Sequence, residues 1–510
     1  MKKQGLYITI IACLLGLSSC SDYLDVAPSD KQTSEQLFAS KAGFYAAANG
    51  IYDGLSSDAL YGKQMTWEAI EIMCQSYSTM KSSTLYKNYA ANNYTEIYTA
   101  QALSNIWGEA YKLILASNLL IDQIDRQSGL LTNQERDCLK GEMLATRAFL
   151  HLDMLRLFGP SPFNGIDQKA IPYNESSNVA ALDLLTIKEV GEKIIRDLDE
   201  AEKLLSADPI IENGPMMSEP EDGGSVQLRY RQYRFNYYAV IALKARAYLW
   251  VNDKENAKAQ ALRLITDEKV QNMFPAVDPN ALLANSSNPD RVFSSEVLLG
   301  IYDKDRNNVY TNYFSGSAPS AQMLQPYSAY IVGQYGLFSN MLLGIENSDY
   351  RFQSQWEAAT GTGATGHNFT KYKEIDRPDA TDENSEYYYA KMIPLVRMQE
   401  MYYIALEGSS DTNEKVDWYN KARMRRGLPD LNVLNMTPYF TMYWDYGYGN
   451  VFLSNEYRRE FWGEGQWFYF AKRVDIVGNG IAVGYYSDNG ASQALAQYNP
   501  QPPLPSGEMK

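Results

Sequence analysis

Apolar positions recur at helical spacing through most of the chain, and the places where that rhythm stops are as informative as those where it holds. Residues 34–55, SEQLFASKAGFYAAANGIYDGL, put Phe44, Ala48 and Ile51 on one face. Ser40 is placed to cap this helix and Gly54 to end it. LYGKQMTWEAIEIMCQSY follows, ending at Tyr77, and then a polar loop carries Tyr86, Tyr89 and Tyr94. From Gln101 the signal strengthens: Leu103, Ile106, Ala110, Leu113 and Ser117 trace a face flanked by Trp107, Tyr111 and Ile114. After a break at Gly129, residues 141–160 carry a stripe of Leu144, Ala148, His151/Leu152, Leu155 and Phe158. Arg156 falls in its last turn, Gly159 reads as the left-handed residue past its end, and Pro160 prevents continuation. Residues 187–205 are amphipathic with solvated acids, and 208–224 are a polar, Gly/Pro-rich loop. Residues 234–250 and 255–265 form a further helix pair, in which Ala242, Ala245, Ala257 and Ala261 permit close approach.

The pattern then changes. Residues 295–302 alternate like a short strand. From 303 to about 390 no long periodic run survives; Tyr310, Tyr313, Phe314, Tyr327, Tyr330, Tyr335 and Trp356 lie among Asn, Ser and Gly. A structureless stretch of that length is uncommon unless it is functional. Aromatic faces beside amides and hydroxyls suit stacking on sugar rings or peptide side chains, although most of these rings are expected to pack the loops down. Helical order returns at 394–406 and 415–426, before Gly427-Leu428-Pro429.

Residues 455–473, NEYRREFWGEGQWFYFAKR, set charges among aromatics. Glu456, Arg459 and Glu460 share a helix face, Phe461, Trp462, Trp467, Phe468 and Phe470 supply apolar area, and Gly463-Glu464-Gly465 allows a turn. The favoured reading is a hydrogen-bonded clamp inside a helical core, because charges are rarely buried unpaired; the competing reading is a ligand site. The expected fold is mainly α: an irregular solenoid of helix pairs of tetratricopeptide type, with long loop-rich insertions and a few short strands. Residues 20–510 form one domain, its scaffold spanning 34–270 and 391–473 and its ligand-facing loops 300–390.

Composition narrows the function. The chain has 510 residues, 40 tyrosines, only two histidines and a net charge of −15, which argues against nucleic acid and against docking on anionic lipid. Lys421, Arg423, Arg425 and Arg426 cluster, but at a helix end where cations favour the dipole. No GxSxG, HExxH, P-loop or GxGxxG signature occurs, so no catalytic residue is assigned. His151 reads as a satisfied core histidine and His367 as a solvated loop residue. A glycosidase built on paired carboxylates is the enzymatic alternative, but 61 acids make candidate pairs uninformative. No metal-type cysteine spacing is present and no cofactor is implied; Cys74 and Cys138 are expected as buried thiols, with a disulfide as the alternative. Lys2 and Lys3 precede an apolar run from 6 to 17, too short to span a bilayer, that ends in Leu17-Ser18-Ser19-Cys20. This resembles a bacterial lipobox, so 1–19 are expected to be a signal peptide and Cys20 to carry acyl chains such as palmitate. Asp22 and Asp25 resemble acidic surface-export signals.

Several of these stretches together resemble the SusD/RagB family of outer-membrane nutrient-binding lipoproteins. Glu456, Arg459, Glu460, Glu464, Gly465, Gln466 and Arg473 stand in places comparable to its C-terminal signature. Gln466 and Tyr457 replace the commoner arginines, as in a divergent branch. Trp107, Tyr111, Ile114, Ser117, Asn118 and Leu120, the GExxxxRAF run from Gly141, Arg397 and Glu407, and the proline-rich tail at 502–508 are similar to further family segments, with Ile404 in place of a usual acid. The resemblance implies a lipid-anchored protein facing the cell exterior that captures an oligosaccharide or peptide. It would hand that cargo, as a hinged lid, to a SusC-like TonB-dependent transporter. The family's ligand contacts lie in loops without a motif, so the candidates are the loop aromatics Tyr86, Tyr313, Phe314, Tyr330 and Trp356. A helical scaffold or adaptor without a small-molecule ligand is the remaining alternative.

Overall fold

Helix α1 (Lys41–Leu55) begins where the Ser40 hydroxyl accepts the Gly43 N–H at 3.2 Å, and it buries Phe44, Ala48 and Ile51. The chain is a computed structural model that describes residues 34–78, 82–215, 226–283, 288–326, 337–338, 348–359, 366–375, 388–475 and 499–505. Cys20, Tyr327, Tyr330 and Tyr335 lie outside the described residues. After α1 come α2 (Ala69–Met73), α3 (Thr84–Ala90), α4 (Ile97–Arg126), α5 (Asn133–Phe158), α6 (Ile187–Leu204), α7 (Tyr237–Trp250) and α8 (Lys254–Ile265). Strand β1 (Val297–Tyr302), α9 (Tyr350–Gln355), β2 (Trp356–Ala358), β3 (His367–Phe369) and β4 (Met392–Arg397) follow. Helices α10 (Met398–Gly408), α11 (Thr412–Met424), α12 (Gly449–Phe461) and α13 (Gln466–Arg473) end the regular structure among the described residues.

The fold is mainly α. From α4 to α8 each of the long helices packs on the next, α8 packs on α10 and α10 on α11, so helix pairs stack in succession as a solenoid does. Small residues set the spacing: Ala242, Ala245, Ala257 and Ala261 are fully buried. A Cβ on Gly408 would meet the Lys254 carbonyl at 2.8 Å. The two sheets are antiparallel pairs, β1 with β4 and β2 with β3.

Several local expectations change. Helix α5 starts at Asn133, eight residues before Gly141, because Thr132 and Glu135 close a capping box. It is buried almost all round, so its apolar stripe understates its length. Gly159 has φ −65°, not left-handed backbone; what excludes a side chain is the Leu155 carbonyl, 2.5 Å from where a Cβ would sit. Helix α1 continues through Gly54 to a cap at Ser56. Residues 394–397, read as helix, are the end of β4, whose Ile393 and Pro394 pair with Ile301 and Gly300. The tyrosine-bearing loop after Tyr77 contains α3, whose Tyr86 and Tyr89 turn inward. Within 303–390 the backbone forms a wide turn over Tyr310–Phe314, helix α9 and the β2–β3 hairpin. Asp208, at the start of a polar loop, is buried against Arg231 at 2.9 Å.

Candidate functional site

Helices α12 and α13 are separated by Gly463 and Gly465, with φ of 75° and 72°. These left-handed conformations suit glycine. Close packing reinforces the choice, since a Cβ on Gly465 would lie 2.1 Å from Ile70 Cδ1. Both glycine N–H groups donate to Glu71 Oε1 at 3.1 Å, and the Ser76 hydroxyl donates to Oε2 at 2.7 Å. Burial nevertheless pushes the Glu71 carboxyl up to about 7, with those hydrogen bonds offsetting only part. The turn is thereby held by a carboxyl nearly four hundred residues away in sequence.

Around this turn lies a closed ion network. Glu460 accepts from Arg426 at 2.6 and 2.7 Å, from Arg351 at 3.2 Å and from Arg397. Glu456 meets Arg351 at 2.8 Å and Arg459 at 3.0 Å. Glu464 joins Lys371 and Arg397, Glu296 joins Arg426, and Asp349 joins Arg351. Each of these side chains is less than a tenth exposed. Burial alone would raise the Glu456 carboxyl, but Arg351 and Arg459 outweigh it and hold it at about 2. Glu460, too, is held well below the usual carboxylate range, Arg426 and Arg397 outweighing the cost of its burial. A neighbouring cavity, lined by Arg156, Arg246, Glu400, Tyr457, Gln466 and Arg473, is only about 30 Å³, room for a water and not for a sugar. The arrangement is that of the clamp, not of a ligand site.

The two loop regions do meet. Ser78 N–H donates to the Gln325 carbonyl at 2.8 Å and Ser83 N–H to Ala321 at 3.1 Å. Rings from both then pack on the clamp. Tyr77 and Trp356 stand edge-on to Trp462 at 5.6 and 5.3 Å, and Phe314 contacts Tyr77 and Phe369. Of the named candidates, Tyr86, Phe314 and Trp356 are only 4%, 0% and 6% exposed. Tyr86 points its hydroxyl at Glu68, and the other two belong to this ring cluster, so none of the three presents an open face. Tyr313 is half-buried, with Lys63 over its ring at 5.4 Å, and Lys63 pairs with Glu68 at 3.3 Å. Tyr310, not among the five candidates, is also half-buried. Its hydroxyl donates to Glu357, and Lys373, which pairs with Glu357 at 2.6 Å, lies 5.2 Å from its ring. The signal that could have found it is its spacing, three residues before Tyr313 on one turn.

The histidines and cysteines fall elsewhere. His151 is buried; its Nε2 accepts the Asn174 N–H at 3.0 Å, so Nδ1 carries the proton and donates to the Arg147 carbonyl at 2.8 Å. Burial lowers it to about 3, and it is neutral at physiological pH. His367 is on β3, half-exposed, near the Phe352 ring. Cys74 and Cys138 are buried and are not joined in a disulfide. No helix among the described residues is long and apolar enough to cross a membrane.

A stack of helix pairs, a sealed ion core and two converging tyrosine-bearing segments define a rigid helical scaffold with a loop face. The family model described as SusD-like, starch-binding associating with outer membrane, matches residues 22–215. Two proteins of Formosa agariphila are similar. SusD-like protein P2 is 29% identical over 40% of this chain and 38% of its own length. SusD-like protein P38 is 21% identical over 85% of this chain and 75% of its own. Among solved structures, the surface glycan-binding protein A of Bacteroides uniformis superposes with a TM-score of 0.60 at 18% identity, covering 90% of this chain and 95% of that one. A SusD-like carbohydrate binding protein of Bacteroides vulgatus gives 0.57 at 21%, covering 85% and 83%. Over residues 22–215 the chain is therefore similar to the SusD-like family, and its mainly α fold is that of the solved SusD-like structures.

Proposed function

We propose that this chain is a cell-surface glycan-binding protein, anchored in the outer membrane by lipid on Cys20. It captures an oligosaccharide and delivers it to a partner transporter of that membrane, which it closes as a lid. The observation that carries the reading is the pair Tyr310 and Tyr313. Two rings share one turn where the loop regions converge, each half-buried and each held by charged neighbours, one by Glu357 and Lys373, the other by Lys63. Rings fixed in this way lose little freedom on binding and can stack on a sugar face while amides and carboxylates bond its hydroxyls. Binding needs no proton transfer, and cargo passes on unaltered. The match to a family described as starch-binding and the likeness to a solved surface glycan-binding protein support a carbohydrate cargo.

The test is an array of oligosaccharides and peptides probed with the chain lacking residues 1–20, as wild type and as the Tyr310→Ala/Tyr313→Ala double variant. Oligosaccharide binding that falls at least about tenfold in the double variant, with an unchanged melting temperature and chemically unchanged cargo, is expected. Binding of peptides alone, or cleavage of the oligosaccharide, would overturn the reading. For the anchor, Cys20→Ala should abolish palmitate labelling and release the protein from membranes; a variant still labelled refutes the anchor.

A further inference from the structure

Arg291 lies in the turn before β1, and its carbonyl accepts the Gln355 amide N–H at 2.7 Å. That bond ties the turn to the residue preceding Trp356 and Glu357, on the strand that holds the Tyr310 hydroxyl. The clamp arginines Arg351, Arg397 and Arg426 all meet carboxylates. Arg291 is half-buried, yet among the described residues its guanidinium makes no ion pair and no hydrogen bond, and its Nη1 is sealed from solvent without a partner.

The nearby acids are committed elsewhere. Asp290 turns away, both its oxygens accepting from the Ser294 N–H at 3.1 and 2.9 Å and one also from the Ser294 hydroxyl at 2.8 Å. Glu357 is occupied by Tyr310 and Lys373. Among the described residues Arg306, the next arginine along the chain, also meets no carboxylate, and it bonds the Ala390 and Lys371 carbonyls at 2.8 and 3.1 Å. Burial lowers Arg291 from the ordinary arginine range, and the nearby Glu357 carboxylate offsets only part of that cost. A guanidinium kept half-buried and unpaired is expensive for folding alone, and its fork of donors matches an oxyanion.

We propose that Arg291 anchors an anionic group on the cargo, a uronate carboxylate or a sulfate ester of a sugar whose ring lies against Tyr310. This rests on the reading of the tyrosine face as the glycan site, and it adds that the cargo is an acidic glycan.

The experiment is calorimetric titration of the chain lacking residues 1–20 with tetragalacturonate, a sulfated carrageenan tetrasaccharide and neutral maltoheptaose. Wild type, Arg291→Gln, Arg291→Lys and Tyr310→Ala are compared. One of the two acidic probes should bind at least about tenfold more tightly than maltoheptaose, and which one does so separates carboxylate from sulfate. Arg291→Gln should lose about 10- to 100-fold of that affinity without a lower melting temperature, and Arg291→Lys should lose less. Equal affinity of Arg291→Gln and wild type for the acidic probe overturns the anchor. So does a lower melting temperature with unchanged binding, which would make Arg291 purely structural. If maltoheptaose binds as tightly as either acid and is lost in Tyr310→Ala, the glycan face stands and the anchor falls. If Tyr310→Ala leaves every affinity intact, or no probe binds, the glycan reading of the face falls as well.

Discussion

Replacing Glu460 with glutamine tests the clamp at its centre. Its carboxylate takes four guanidinium N–H bonds, two from Arg426 and one each from Arg351 and Arg397. In the surrounding network Glu296, Asp349, Glu456, Glu460 and Glu464 face Arg351, Arg397, Arg426, Arg459 and Lys371, so opposite charges balance. Arg425 lies at the rim, 3.5 Å from Glu296. Glutamine keeps the shape but removes one negative charge, and its amide nitrogen presents donors to groups that can only donate. Breaking a buried pair by removing one partner costs about 3–5 kcal/mol, so Glu460→Gln should destabilise by about 4 kcal/mol. For 510 residues the unfolding entropy is about 1 kcal/mol/K, so the melting temperature should drop by about 4 °C if the domain unfolds as one unit. An exposed pair supplies the control: Glu109→Gln, which breaks a surface contact to Lys112 of 3.0 Å, should change stability by less than about 0.5 kcal/mol. Differential scanning calorimetry and urea titration read both. If Glu460→Gln melts within 1 °C of wild type, or stays stable while losing glycan binding, the clamp reasoning is wrong and the network belongs to a ligand site.

Three further outcomes are expected. Glu71 is raised in the fold from 4.5 to about 7, so its contribution is fully present below pH 4.5 and is lost as pH rises through about 7. Glu71→Gln should therefore gain stability relative to wild type between pH 5 and 8, by up to about 3 kcal/mol; a pH-independent difference in urea midpoints would exclude this. Glu456 shifts the other way, to about 2, so its contribution is present above pH 4.5 and lost as pH falls from there through about 2; acid titration of wild type against Glu456→Gln should differ in that window. Gly465→Ala should cost several kcal/mol, on the order of 3, because the backbone is left-handed and the new methyl meets Ile70 and the Met65 carbonyl; a melting temperature equal to wild type would refute the packing account.

The scaffold was legible because long helices leave a periodic imprint, as Leu103, Ile106, Ala110 and Leu113 do on α4. The imprint fails where a helix is buried on every side: the first turns of α5 show in the Thr132–Glu135 capping box, not in a stripe. It also fails for residues 394–397, where pairing with β1 overrides the helical pattern that continues in the following residues. The clamp was legible as charges set among aromatics. Its partners were not, because Arg351, Lys371 and Glu71 reach it from segments with no motif in common. The tyrosine face was half legible. A composition rich in rings marks the right segments, but whether a ring is core or surface depends on what lies across from it. Phe314 and Tyr313 are adjacent, and only Phe314 is sealed against Tyr77 and Phe369.

Amide hydrogen exchange with and without the tightest-binding oligosaccharide of the array tests most directly whether the gripping face is separate from the supporting core. Slower exchange on binding is expected in peptides covering Tyr310–Phe314, Trp356–Ala358 and His367–Phe369, with no change across residues 455–473. Protection confined to 455–473, with the tyrosine turn exchanging as before, would contradict it.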